Sequence, residues 1–177
     1  KVSPAPILER TAADPFLTAS PWVLIDGGIW RMWYVSAVSW AQESSGARHY
    51  YLIKYAESSD GIEWRRDDQV AIDFASEAEY AHSRPCVLRD GQTYRMWFSA
   101  RGDTYRLAYA ESPDGISWTR HDEQGGLGPS SGGWDSEMIA YPVVFDSANG
   151  QRWMAYNGNG YGRTGIGLAR LATAADL

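Results

Sequence analysis

Along most of the chain apolar and polar residues alternate with a period of two, in short runs broken by Asp-Gly, Asn-Gly and Ser/Pro clusters. That is the signature of short antiparallel strands with one buried face. The first set of strands runs from Ser20 to Ile25, with Pro21 at the entrance where a missing N–H is tolerated. A turn at Asp26-Gly27-Gly28 leads to Trp30–Ser36, and a loop from Ala37 to Arg48 leads to Tyr50–Ala56. A second turn at Asp60-Gly61 precedes a short outer strand, Ile62–Arg65. The second set is Arg84–Leu88, Tyr94–Ala100, Tyr105–Glu111 and Ile116–Arg120, and the third is Tyr141–Phe145, Trp153–Asn157 and Thr164–Leu171, without an outer strand. Helical periodicity is weak: the best candidate is one turn within Ala75–Tyr80, and the tail Thr173–Leu177 reads as polar and frayed.

The sets repeat one another. Asp26-Gly27-Gly28-Ile29-Trp30-Arg31-Met32-Trp33-Tyr34 recurs as Asp90-Gly91-Gln92-Thr93-Tyr94-Arg95-Met96-Trp97-Phe98, and more weakly as Gly150-Gln151-Arg152-Trp153-Met154-Ala155-Tyr156. The phrase returns after 64 positions and then after about 58. A β-rich repeat of this length predicts an all-β propeller of about three four-stranded antiparallel blades. The blade units span about 15–70, 80–124 and 137–171 of a single domain, 1–177. Ser-x-Asp-Gly-Ile-x-Trp also occurs twice, at Ser58–Trp64 and Ser112–Trp118. Its Ser and Asp are suited to bonding the turn backbone and its Gly to a positive φ, so it predicts a structural turn rather than a site.

Composition narrows the partners. With a net charge of −6 and only two lysines, Lys1 and Lys54, the chain has no basic run for nucleic acid or an anionic membrane. No apolar stretch is long enough for a transmembrane helix, and no signal peptide is visible, which favours the cytoplasm while leaving localisation open. The single Cys86 reads as a small core residue, and the three scattered histidines predict neither a metal site nor a cofactor. Nine Trp and eleven Tyr sit mostly at repeated positions suited to blade packing. The remainder are free to stack on sugar rings.

Aligning the units on Pro21, Pro85 and Pro142 places Ser20, Arg84 and Tyr141 directly before the inner strands. A few positions upstream lie Asp14, then Glu77 and Glu79, then Asp135 and Glu137. Three loops are thus expected to bring carboxylates to one mouth, and carboxylate pairs cleave glycosidic bonds. Glu137, at the entry of an apolar strand, is the first candidate for a general acid if it is partly buried beside aromatics. Asp14 and Glu79 follow it. The alternative for Glu137 is a structural carboxylate that pairs with Arg84 or caps a loop. Candidate substrate-binding residues are Arg84, Asp135, Tyr141, Arg101, Trp40 and, from the Gly-rich segment 157–163, Asn157, Asn159, Tyr161 and Arg163. That segment is neither a P-loop nor a dinucleotide fingerprint, and a conformationally demanding hairpin explains its glycines equally well.

Ser83-Arg84-Pro85-Cys86-Val87, the Tyr-Arg-Met-Trp phrases, Ala110–Trp118, Asp135–Pro142 and Tyr156–Gly162 together resemble a bacterial group related to glycosidases. That group belongs with the five-bladed propellers of arabinanases, invertases, levansucrases and mannosyl phosphorylases, and the Ser-x-Asp-Gly phrase resembles the aspartate-box turn of other propellers. The resemblance covers nearly the whole chain and implies a glycoside hydrolase, or a phosphorylase or transferase, acting on an oligosaccharide or glycoside. Five such blades need roughly 275 residues, so the chain resembles the C-terminal three blades of a partial five-bladed propeller. In invertase-like members the nucleophile comes from the first blade, which has no counterpart here, and their Arg-Asp-Pro motif is not matched. The alternative is a non-catalytic glycan-binding or scaffold propeller fragment, completed by self-association or by an N-terminal propeller partner. A hydrolase requires two carboxyls about 5–9.5 Å apart, and a phosphorylase a basic phosphate site, for which Arg84, Arg101 and Arg163 are the candidates.

Overall fold

The computed structural model describes residues 1–44 and 46–172, so the tail from Thr173 lies outside the described residues. It is almost entirely β. The first blade comprises β1 (Leu17–Asp26), β2 (Ile29–Glu43), β3 (Gly46–Ser58) and β4 (Val70–Ile72). The second comprises β5 (Ala81–Asp90), β6 (Thr93–Arg101), β7 (Tyr105–Ser112) and β8 (Thr119–Arg120). The third has β9 (Ala140–Asp146), β10 (Arg152–Asn157) and β11 (Ile166–Arg170). Neighbouring strands within each blade are antiparallel, and a parallel bridge, Tyr51 to Ala81, joins the first two blades.

Three features differ from expectation. The residues read as a loop from Ala37 to Arg48 instead extend β2 and β3 into a long ribbon, paired as far as Glu43 with Gly46. Its residues are mostly exposed, so no buried stripe marks it in the sequence; Trp40 on His49 and the Glu43–Arg48 ion pair hold it. The outer strand expected at Ile62–Arg65 makes only one bridge, Arg65 to Glu57, and β4 pairs with β3 further on. The Ala75–Tyr80 segment forms turns rather than a helix.

The repeated phrases build contacts between blades. Trp33 is wholly buried and donates from Nε1 to the Gly115 carbonyl, in the aspartate-box turn of the next blade, at 2.9 Å. In that turn the Ser112 hydroxyl accepts from the Asp114 and Gly115 amides, while the Asp114 carboxylate accepts from Ile116 and Ser117, both at 2.8 Å. Ser58 and Asp60 do the same in the first blade. Asp26, at the β1–β2 turn, binds Arg89 and Tyr94 of the second blade, and Asp90 binds Arg152 of the third. The main core lies between the first two blades, around Trp33, Ile53, Val87, Met96 and Phe98.

The repeat also shows which surfaces lack a neighbour. Cys86 is fully buried against the third blade, whereas its counterpart Val143 is 45% exposed. Val87 and Val144 are buried by the preceding blade, whereas Val23 is 40% exposed. Both lateral faces of the three-blade array are therefore apolar and open among the described residues.

Candidate functional site

Every inner strand carries the same irregularity. Ser20-Pro21, Arg84-Pro85 and Tyr141-Pro142 each occupy a bulge, two residues against one on the partner strand. The residue before each proline is left-handed, with φ of 47° at Ser20, 52° at Arg84 and 60° at Tyr141. For a residue with a Cβ this conformation costs of order 1–3 kcal/mol, yet it recurs in all three blades. It turns these side chains off the regular pleat near the strand entrance. The β2–β3, β6–β7 and β10–β11 hairpins open at the same end, because each inner strand begins beside the end of the strand it pairs with. These entrances and hairpin tips form one rim.

The aromatic residues opposite the bulges, Tyr34, Phe98 and Tyr156, reveal what the upstream acids do. Asp14 is wholly buried; its carboxylate accepts from the Tyr34 hydroxyl at 3.2 Å and from Arg66 at 2.8 Å, with Lys54 at 3.4 Å. Asp135, also buried, accepts from the Tyr156 hydroxyl at 2.9 Å. In the second blade Arg120 lies over the Phe98 ring and holds Glu79 through two hydrogen bonds of 2.7 and 2.8 Å, while the His82 Nε2 contacts the same carboxylate at 3.0 Å. Asp14, Glu79 and Asp135 thus each anchor their own blade.

Burial alone would raise the Glu79 pKa, but hydrogen bonds from Arg120, His82 and the Ala75 amide outweigh it and hold the carboxyl far below the ordinary range. Such a depressed group stabilises the fold fully above its unfolded pKa of about 4.3, and the contribution disappears as pH falls through the folded value. Glu79→Gln is expected to cost about 2 kcal/mol at pH 7, with the gap from wild type closing below pH 4. Urea unfolding across that range checks this; a gap independent of pH would contradict the ion pair.

Glu137 is an exposed carboxylate at the entry of the third blade. Its backbone is fixed, since its N–H and that of Met138 donate to the Asn159 side-chain oxygen at 2.8 and 3.2 Å, and its carbonyl accepts from Arg106 at 2.9 Å. The residue is exposed rather than partly buried beside aromatics, because the chain turns inward only at Met138. Asn159 itself is buried and spans the β10–β11 loop and the β9 entry, also donating to the Gly133 carbonyl. Trp134 fills the space left by two glycines: a Cβ on Gly158 or Gly167 would stand 2.4 Å from its ring. This contact, with left-handed Gly160 and Gly162, explains the glycines of segment 157–163 as a packing requirement. Asn157 donates to the Tyr161 carbonyl, and Arg163 lies exposed on the same loop.

A second group lies beside these. Arg84 stacks over Tyr141 at 5.3 Å, Tyr141 meets Tyr105 at 5.7 Å, and Arg101 lies over Tyr105 at 5.4 Å and Tyr161 at 5.9 Å. On the β2–β3 ribbon Trp40 is 56% exposed and continues into a row with Phe16, His49 and Tyr51. The structure thus gathers Arg84, Arg101, Tyr141 and Tyr161, and separately Glu137, Asn157 and Asn159. Tyr80, Tyr105 and Ser99, which accepts from the Tyr141 amide at 2.7 Å, were not visible as rim residues in the sequence. Their only signal is their position at strand ends on one side of the repeat.

Among the described residues no cluster of His, Cys, Asp and Glu is arranged to hold a metal ion, and no helix is long and apolar enough to cross a membrane. No family model matches the chain. Proteins from two strains of Mycobacterium tuberculosis, both described as uncharacterised, are 47% and 46% identical over 166 residues. These matches cover 94% of the chain and 54% of each relative, so the chain spans about half the length of these curated relatives. Among solved structures, a thermostable family-43 glycoside hydrolase superposes with a TM-score of 0.69 at 18% identity, covering 97% of this chain and 59% of that one. A family-117 glycoside hydrolase from Zobellia galactanivorans gives 0.68 at 18% identity, covering 94% and 56%. The family-32 β-fructofuranosidase of Bombyx mori gives 0.61 at 15%, covering 87% and 34%. The fold is that of propeller glycoside hydrolases, over part of their length.

Proposed function

We propose that the chain binds a carbohydrate at the rim and contributes the acid, Glu137, to a glycoside hydrolase or a related phosphorylase or transferase. The observation that supports this most is the contrast among the acids. Asp14, Glu79 and Asp135 are each tied to their own blade, whereas Glu137 stands exposed on a rigid backbone in a fold shared with glycoside hydrolases. Trp40 offers an apolar ring face for a sugar, and Asn157, Tyr161 and Arg163 supply groups that bond hydroxyls. A second carboxylate at a productive separation is required, and in this reading it comes from outside the three blades.

The test is turnover of an aryl glycoside panel, with and without phosphate, by wild type and Glu137→Gln. The expected result is a loss of about 100-fold or more in kcat/KM; equal turnover removes Glu137 as the acid. A second reading, a binding propeller without chemistry, draws support from the committed Asp14 and Glu79 and from the open faces at Val23 and Val143. It predicts oligosaccharide binding with no turnover by either protein. In that reading the open faces serve self-association or an N-terminal propeller partner.

A further inference from the structure

Several guanidinium groups in this acidic chain find carboxylates. Arg65, Arg66, Arg89, Arg95, Arg120 and Arg152 all do. Arg84 and Arg101 do not: neither has a carboxylate partner among the described residues, and both are held instead by tyrosine rings. The Arg101 Nε is buried with no hydrogen-bond partner.

The tyrosines supply no compensating charge. Burial raises the pKa of both Tyr105 and Tyr141, so both phenols are neutral near pH 7. Their rings still stabilise the cations, which lie within the range of about 6 Å where ring faces attract a guanidinium. Arg101 also lines a cleft of about 310 Å³ with Arg48, His49, Tyr51 and Tyr80, at the lower end of small-ligand sites. The one acid in that cleft, Glu43, is engaged by Arg48 at 3.0 Å. The cleft wall therefore keeps one positive charge for a ligand, with Arg84 positioned across the Tyr105–Tyr141 pair.

We propose that Arg101 and Arg84, on the Tyr80–Tyr105–Tyr141 platform, form a subsite for an oxyanion, a carboxylate, sulfate or phosphate, carried on the sugar that the rim binds. A guanidinium fork matches such a group with two parallel hydrogen bonds. The platform fixes the fork in advance, which limits the entropy lost on binding. This inference rests on the carbohydrate reading of the rim and specifies its substrate class: acidic rather than neutral saccharides.

The experiment measures binding of a glucuronate-terminated oligosaccharide, its neutral glucose counterpart and inorganic phosphate by calorimetry, for wild type, Arg101→Gln, Arg101→Lys and Arg84→Gln. Thermal midpoints of all four proteins establish that they fold. The acidic saccharide is expected to bind at least tenfold more tightly than the neutral one. Arg101→Gln should erase that preference, bringing the acidic and neutral saccharides to the same affinity, and Arg101→Lys should retain part of it because the charge remains. The preference should also shrink as salt is raised. Phosphate binding that depends on Arg101, without any saccharide binding, upholds an oxyanion site and overturns the carbohydrate reading. Equal affinity for acidic and neutral saccharides, unaltered by Arg101→Gln, overturns the oxyanion subsite and leaves the carbohydrate reading intact. Should Arg101→Gln fail to fold, Arg84→Gln provides the same comparison from the exposed side of the platform.

Discussion

Trp33→Ala is expected to remove a large share of the stability of the chain. The side chain is wholly buried and packs against Tyr55, Tyr94 and Trp118 at centroid distances of 5.9, 6.3 and 6.0 Å. Truncating such a ring costs about 3–5 kcal/mol, against a typical total of 5–15 kcal/mol for a whole domain. The lost volume dominates the lost hydrogen bond, because the Gly115 carbonyl keeps a second donor in Trp118 Nε1 at 3.1 Å. Trp33→Phe should therefore cost much less than Trp33→Ala. The repeat provides an internal control: Trp97 occupies the same place one blade on, but the third blade brings no aspartate-box turn against it. Trp97→Ala should destabilise less than Trp33→Ala in chemical denaturation. Equal losses would show that the contact between the first blade and the second blade's turn adds nothing.

Asp14→Ala is expected to destabilise by about 3–5 kcal/mol, the cost of leaving buried charge uncompensated. Lys54 is almost fully buried, donating to the Ala13 carbonyl at 2.7 Å and pairing with Asp68 as well as Asp14. Arg66 closes the group, giving two cations and two anions. Without Asp14 one positive charge is in excess and the Tyr34 hydroxyl loses its acceptor. Adding Lys54→Met restores the balance, so the double variant should recover a measurable part of the loss. Strict additivity would mean that Lys54 and Asp14 are not coupled. If Asp14→Asn kept full stability and lost saccharide binding, Asp14 would return to the list of rim residues.

Much of this organisation was legible in the sequence, because alternation and turn residues are local. The inner strands, the aspartate-box turns and the recurrence of Met32, Met96 and Met154 need only neighbouring residues to be recognised. What escaped was set by long-range pairing. Nothing near Asp14 announces Arg66, and nothing near Glu79 announces Arg120, so acids that looked available in sequence proved to be occupied. The β2–β3 ribbon was missed because both its faces meet solvent and leave no apolar stripe. Of the platform around Arg101, Arg84, Tyr141 and Tyr161 were candidates from the sequence, whereas Tyr80 and Tyr105 were not, because they come from strand ends with no local signal.

The left-handed residue before each inner-strand proline has a broader consequence. Ser20, Arg84 and Tyr141 are small, cationic and aromatic, yet their backbones adopt nearly one geometry. The conformation is therefore dictated by the place and not by the side chain. Such a position is free to vary: one residue type can be exchanged for another there without a new backbone having to be found. In the proposed carbohydrate-binding role, these three positions are where a change of side chain would alter ligand preference while the blades beneath remain unchanged.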